Sequence, residues 1–150
     1  MPRTPAAVLF ACNLNRIRSP MAAGLMRRLY GQRLFVDSCG LRRDDAEFPD
    51  PFMVSVMDEV GIDLADHAPK SFDDLEDESF DLVISLTPEA HHRAVELVRA
   101  RAVEIEYWPT MDPTLAMGAR PMVLDAYRAV RNALDLNIRR RFPQMRTFGG

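Results

Sequence analysis

Short apolar segments alternate with amphipathic segments of helical length along the chain, and this alternation leaves few folds open. The apolar segments are residues 6–11, 34–36, 82–86 and 103–108. The segments with apolar positions at helical spacing are residues 19–30, 50–60, 88–101 and 122–142. Strands that alternate with helices form parallel sheets, because right-handed crossovers place the helices on the sheet faces. The sequence therefore predicts a single α/β domain over residues 1–150, with a four-stranded parallel sheet and helices on both faces. The strand order that we expect is 2-1-3-4.

Composition excludes several classes of protein. The chain has 150 residues and a formal net charge of −3, which argues against nucleic acid as a partner. The longest apolar run, residues 6–11, is too short for a membrane span or a signal peptide, so we expect a cytoplasmic protein with no membrane partner. Two cysteines are too few for a disulfide scaffold or a four-cysteine zinc site. His91 and His92 point about 100° apart on a helix and cannot share a metal, so we expect neither a metal nor a cofactor.

Cys12 lies where the first apolar segment ends, and Ser19-Pro20 is typical of an N-cap followed by proline at the first helical position. The residues between them connect a strand to a helix N-terminus, where backbone N–H groups and the helix dipole favour an anion. Arg18 can turn its guanidinium toward the same anion. We predict that phosphate, sulfate or arsenate binds to a loop made of Asn13, Leu14, Asn15, Arg16, Ile17 and Arg18.

A thiolate in such a loop can act as a nucleophile. Cys12 would attack phosphorus while Arg18 and the loop amides stabilise the equatorial oxygens, and Ser19 would donate its hydroxyl to the sulfur. The alternative is that Cys12 is a small buried hydrophobe, because cysteines at strand ends usually are. An arginine six residues later is weak evidence alone in a chain this rich in arginine.

The leaving group of a phosphate ester needs a proton, so an acid must reach the same edge of the sheet. Asp112-Pro113 lies in the loop after the fourth strand, and it is the candidate general acid. The alternative is an ordinary Asp-Pro turn. A second pair, Asp50-Pro51, is better explained as the cap and first residue of the second helix.

These residues resemble the low-molecular-weight protein tyrosine phosphatase family, which also contains one class of arsenate reductases. The likeness covers essentially the whole chain and includes a strand that leads into Cys12, a Cys-x5-Arg-Ser-Pro pattern ending at Pro20, and the late Asp112-Pro113. The resemblance implies a left-handed backbone at Asn15, whose side chain bonds toward Ser38 and His67. It also implies that a polar network holds the loop in its anion-binding shape, formed by Asn15, Ser19, Ser38 and His67.

The chain departs from the family at several positions. Leu14 stands where glycine is common, Ile17 where a second cysteine is common, and Thr114-Leu115 where a tyrosine pair often grips an aromatic substrate. From Leu82 onward there is no cysteine, which excludes the internal relay of the thioredoxin-linked arsenate reductases. Cys39, at the end of the second strand, is either a packing residue or a backup resolving thiol for Cys12.

Three functions follow as hypotheses. The first is a phosphomonoester hydrolase, a protein-tyrosine phosphatase that forms a phosphocysteine intermediate on a phosphotyrosine protein or a small aryl phosphate. The second is an arsenate reductase that uses an external small thiol. The third is a catalytically weak module that binds phosphate or a phosphopeptide, a reading supported by Leu14 and the missing tyrosine pair.

Overall fold

In the computed structural model, which describes residues 4–43, 48–75, 79–98 and 102–143, four strands form one parallel sheet. The strands are β1 (Ala7–Cys12), β2 (Phe35–Gly40), β3 (Leu82–Ser85) and β4 (Glu104–Tyr107). Their order across the sheet is β2-β1-β3-β4, which confirms the predicted topology. Because β1 is central and apolar throughout, it is buried along its whole length.

Four helices connect and flank the strands. They are α1 (Arg18–Tyr30), α2 (Pro51–Asp58), α3 (Pro88–Leu97) and α4 (Arg120–Arg141). Two short 3-10 turns cover residues 72–74 and 113–115. The predicted helix over residues 88–101 ends at Leu97, and its last three residues lie outside the described part of the chain. None of the helices within the described residues is long and apolar enough to cross a membrane.

Helices cover both faces of the sheet, as predicted. On one face, Phe10 of β1 packs with buried side chains of α1, α2 and α4, among them Met21, Met53 and Leu134. On the other face, β1 contributes to a smaller cluster with α3. Alternate residues of β1 therefore face different cores, and this alternation decides which side chains can meet at the end of the strand.

Two local predictions are wrong. The second strand continues past Val36 to Gly40, because it stays paired with β1 up to the contact between Cys12 and Gly40. The first helix begins at Arg18 with Ile17 as its N-cap residue, so Ser19 is not the cap. The Ser19 hydroxyl instead bonds to side chains of the preceding loop. By contrast, Asp50 caps α2 as predicted, accepting hydrogen bonds from the next two free backbone N–H groups.

Candidate active site

The loop between β1 and α1 wraps around the end of the central strand. Cys12 is the last residue of β1 and is buried. Asn15, in the middle of the loop, has a φ of 58° and is the only non-glycine residue with positive φ among those the structure describes. Asparagine tolerates this left-handed conformation better than most residues. The loop therefore turns back on itself at Asn15, which agrees with the conformation that the family resemblance implied.

Asn15 is the centre of a buried polar network. Its Nδ2 donates to Ser19 Oγ at 2.7 Å and to Ser38 Oγ at 2.9 Å. Its Oδ1 accepts the backbone N–H of Lys70 at 3.0 Å, and its carbonyl oxygen lies 2.7 Å from His67 Nε2. The structure therefore brings together all four residues that the resemblance grouped as loop support. The Asn15 side chain bonds to Ser38 as expected, but the expected side-chain bond to His67 is wrong, because His67 reaches the backbone carbonyl of Asn15 instead. The structure also adds Lys70, which no sequence signal gave reason to include.

His67 contacts the loop as a neutral imidazole. Burial lowers the pKa of His67, and the nearby cations Arg27 and Lys70 lower it further. The hydrogen bond to Asn15 acts in the opposite direction and raises the pKa. The Asn15 carbonyl can only accept, so His67 Nε2 carries the hydrogen in that bond. The ring therefore donates to the loop backbone without bringing a charge close to the anion site.

The Cys12 sulfur is 2.9 Å from Ser19 Oγ. The oxygen of Ser19 already accepts a hydrogen from Asn15, so its own hydrogen is left for Cys12 or for the Cys39 carbonyl, which is 3.3 Å away. The shorter contact is to sulfur. This arrangement supplies a hydrogen-bond donor to a thiolate at the end of β1.

The end of β2 supports the loop through its backbone. The Leu41 N–H lies 3.1 Å from the Cys12 carbonyl oxygen and 2.8 Å from that of Asn13. Gly40 lies directly against the loop, where a Cβ atom would come within 2.8 Å of the Asn13 oxygen and the Asn15 nitrogen. Only glycine fits at this close approach. In the sequence, the only sign of this close approach is a glycine that follows an apolar strand.

A second support comes from α3 and was missed at the sequence level. Thr87 caps α3 by accepting the Ala90 N–H at 3.1 Å, and its hydroxyl donates to Asn13 Oδ1 at 2.7 Å. The residue that caps α3 therefore also holds the loop in place through a hydrogen bond. A threonine followed by Pro88 signals an N-cap in sequence, but nothing local reveals a partner 74 residues away.

Cys12, Arg18 and Asp112 line one cleft of about 170 Å³. Arg18 Nη1 donates to the Thr110 carbonyl at 3.0 Å, which ties the start of α1 to the loop that carries Asp112. The Asp112 carboxylate accepts the Thr114 N–H at 2.9 Å and its hydroxyl at 2.6 Å. The remaining lining residues are Asn13, Leu14, Arg16, Ile17, Arg42 and Thr114.

Cys39 and Cys12 belong to cores on opposite faces of the sheet. Cys12 packs in the cluster that contains Phe10, whereas Cys39 packs in the cluster that contains Ala11. Burial raises the pKa of the Cys39 thiol far above its usual range, and the nearby Cys12 and Asp37 raise it further. These facts favour a packing role. A resolving role stays a prediction, and it would require β2 or the loop to move.

The charges in the cleft suit an anion rather than a metal. Three arginines line it with one carboxylate. Within the described ranges, no group of three His, Cys, Asp or Glu side chains is arranged to hold a metal ion.

A parallel sheet whose first strand delivers a cysteine into such a loop is typical of cysteine-dependent phosphatases and arsenate reductases. The family model described as low molecular weight phosphotyrosine protein phosphatase matches residues 7–139. The chain therefore belongs to this family, as the sequence resemblance predicted. The glutaredoxin arsenate reductase of Synechocystis is 34% identical over 79 residues, which are 53% of this chain and 58% of that relative.

Two solved structures show how closely the fold is shared. An arsenate reductase in the phosphate binding state has a TM-score of 0.74 and 27% identity, covering 93% of this chain and 98% of that one. The low molecular weight protein tyrosine phosphatase of T. tengcongensis has a TM-score of 0.74 and 26% identity, covering 92% and 98%. The family is enzymatic, and both activities occur among its relatives.

Proposed function

We propose that this chain hydrolyses phosphate monoesters through a phosphocysteine intermediate on Cys12, and that its substrates are phosphotyrosine proteins. The observation that supports the proposal is the convergence of Cys12, Arg18 and Asp112 on one cleft from three separate parts of the fold. A nucleophile, a cation and an acid then face the same small volume. Each is a group that phosphoryl transfer needs.

In the first half of the reaction, the Cys12 thiolate attacks phosphorus and the bond from phosphorus to the ester oxygen breaks. Arg18 binds two equatorial oxygens, and the backbone N–H groups from Asn13 to Ile17 bind the anion from the loop side. Protonated Asp112 donates its proton to the leaving oxygen. The products of this step are an alcohol or phenol and a phosphocysteine.

In the second half, a water molecule attacks phosphorus and the bond from phosphorus to sulfur breaks. The Asp112 carboxylate takes the proton of the attacking water, which restores its acid form. The hydroxyl of Ser19, which lies 2.9 Å from the sulfur, donates a hydrogen bond to the departing thiolate. Inorganic phosphate leaves, and the cleft returns to its starting state.

Arsenate reduction is the second candidate, because several relatives and two structural neighbours are arsenate reductases. Here the Cys12 thiolate attacks arsenate and water leaves. An external thiol then attacks the Cys12 sulfur, arsenite departs with the electron pair, and a mixed disulfide remains. A second external thiol reduces that disulfide, so two thiols are oxidised for each arsenate reduced. Asp112 would serve this route too, by donating the proton that lets the displaced arsenate oxygen leave as water. The two routes differ in the second step, where hydrolysis needs water and arsenate reduction needs an external thiol.

Hydrolysis of an aryl phosphate and arsenate-dependent oxidation of glutathione should be measured in parallel on the same preparations. We expect wild type to hydrolyse the ester and Cys12→Ser to lose all turnover. Cys39→Ser is the matched control, because it changes the chain's other thiol to the same residue. Arsenate-dependent oxidation without ester hydrolysis would favour the reductase. Oxyanion binding without either reaction would favour a binding module.

A further inference from the structure

Four large apolar side chains lie exposed on the loop that carries Asp112 and on the first turn of α4, which follows it. They are Met111, Leu115, Met117 and Met122, which are 66%, 74%, 87% and 61% exposed. We call these four residues the apolar rim. Other exposed large apolar side chains in the described residues are spread over several elements, such as Val95 on α3 and Leu136 on α4. Scattered apolar residues are normal on a protein surface, whereas a concentration beside a cleft indicates a binding surface.

The apolar rim adjoins residues of the cleft along the chain. Asp112 and Thr114 line the cleft, and Met111 and Leu115 are their neighbours in the chain. The 3-10 turn over residues 113–115 and the two bonds from Thr114 to the Asp112 carboxylate fix the backbone between them. A protein segment whose phosphoryl group lies beside Asp112 therefore has the residues on either side of Asp112 and Thr114 close to it.

Met122 extends the rim away from the cleft. Its sulfur lies 3.0 Å from the point that a Cβ atom on Gly118 would occupy, so its side chain covers the backbone of that glycine. Gly118 has a φ of 122°, which only glycine adopts readily. The turn at Gly118 thereby places Met122 beside the segment that carries Met117.

We propose that the apolar rim binds apolar side chains that flank the phosphorylated residue of a protein substrate; this rests on the proposed phosphatase function. The occupant must present an anion to the arginines of the cleft and apolar groups to the rim at the same time. A phosphorylated protein segment does both, whereas arsenate offers only the anion. Because methionine is flexible and polarisable, the rim selects apolar character rather than one particular sequence.

The test compares two synthetic phosphotyrosyl nonapeptides, one with leucine on both sides of the phosphotyrosine and one with serine on both sides. The value of kcat/KM is measured for each peptide and for a small aryl phosphate. We expect wild type to prefer the leucine peptide by about fivefold to tenfold, as expected for partial burial of one or two apolar side chains. Met117→Ser combined with Leu115→Ser should remove most of this preference. Leu136→Ser, the same change at an exposed leucine on α4, should leave it intact.

A wild type that turns over both peptides equally, or rim variants that lower both equally, would overturn the inference and leave phosphatase activity standing. Binding of the same peptides to Cys12→Ser keeps the test decisive if turnover is absent. Tighter binding of the leucine peptide that depends on the rim would then support the surface while the proposed hydrolysis fails. No difference in binding between the peptides would remove the surface as well.

Discussion

Replacing Asn15 tests whether the polar network holds the loop. Asn15→Gly keeps the left-handed backbone but removes the side-chain bonds to Ser19, Ser38 and the Lys70 N–H. Buried hydrogen bonds contribute about 0.5–1.5 kcal/mol each, so we expect the free energy of unfolding to fall by roughly 2–4 kcal/mol. The His67 bond survives in this variant, because it is made to the backbone carbonyl.

Asn15→Ala loses the same three bonds and also places a Cβ atom at a φ of 58°. The left-handed conformation costs a non-glycine residue about 1–2 kcal/mol, which the lower entropy of unfolded alanine offsets by about 0.4–1 kcal/mol. The alanine variant should therefore be less stable than the glycine variant by about 0.5–1 kcal/mol. The two variants thus separate the contribution of the network from that of the backbone conformation.

The free energy of unfolding of wild type and both variants can be measured by urea titration, with the fluorescence of Trp108, the single tryptophan, as the signal. Phosphate should raise the urea midpoint of wild type more than that of either variant, because a loosened loop binds the anion less tightly. If Asn15→Gly unfolds within about 0.5 kcal/mol of wild type, the network does not hold the loop. If Asn15→Ala is as stable as Asn15→Gly, the argument from backbone strain is wrong.

Three further predictions concern the acid, the close approach of β2, and pH. Asp112→Asn should lower kcat for phosphate esters of alkyl alcohols by about 10²–10⁴ and should lower it much less for activated aryl esters. Equal losses of kcat across a series of leaving groups would show that Asp112 is not the general acid. Gly40→Ala should lower stability by about 1–3 kcal/mol and weaken phosphate binding, because its Cβ atom would meet the loop backbone at 2.8 Å; calorimetry with and without phosphate measures both. Since burial lowers the pKa of His67, the unfolded chain takes up its proton first as pH falls through about 6.5. The free energy of unfolding should fall over that range in wild type, whereas His67→Gln should show a smaller slope in urea titrations at several pH values.

The sequence predicted the strands of the sheet because most of them carry a signal of their own. β1 is a continuous apolar run and β3 is apolar up to Ser85, as expected for strands buried on both faces. The signal failed for β2, whose last four residues, Asp37 to Gly40, have the composition of a turn. They remain in the strand because pairing with β1 fixes them, and local propensity does not report such pairing.

Ser19 shows why local signals failed at the loop. Its position before Pro20 matches a helix cap, yet its hydroxyl is occupied by Cys12 and Asn15. Thr87 and Lys70 were missed for the related reason that their loop partners lie 74 and 55 residues away in the chain. A residue that acts on a distant segment gives no pattern in its own neighbourhood, and only the fold reveals the contact.

The same geometry explains why this fold accommodates two chemistries. The loop is fixed from β2 by the backbone of Gly40 and Leu41, from α3 by Thr87, and from the segment after α2 by His67. A loop held so firmly recognises a tetrahedral oxyanion by shape and charge, which phosphate and arsenate share. The outcome of the reaction must then be decided by groups outside the loop. In this chain, Asp112 lines the cleft, while Cys39 is buried in the core on the opposite face of the sheet from Cys12. Under the proposed function, hydrolysis therefore needs only water besides the residues of the cleft, whereas arsenate reduction needs a further thiol as the reductant.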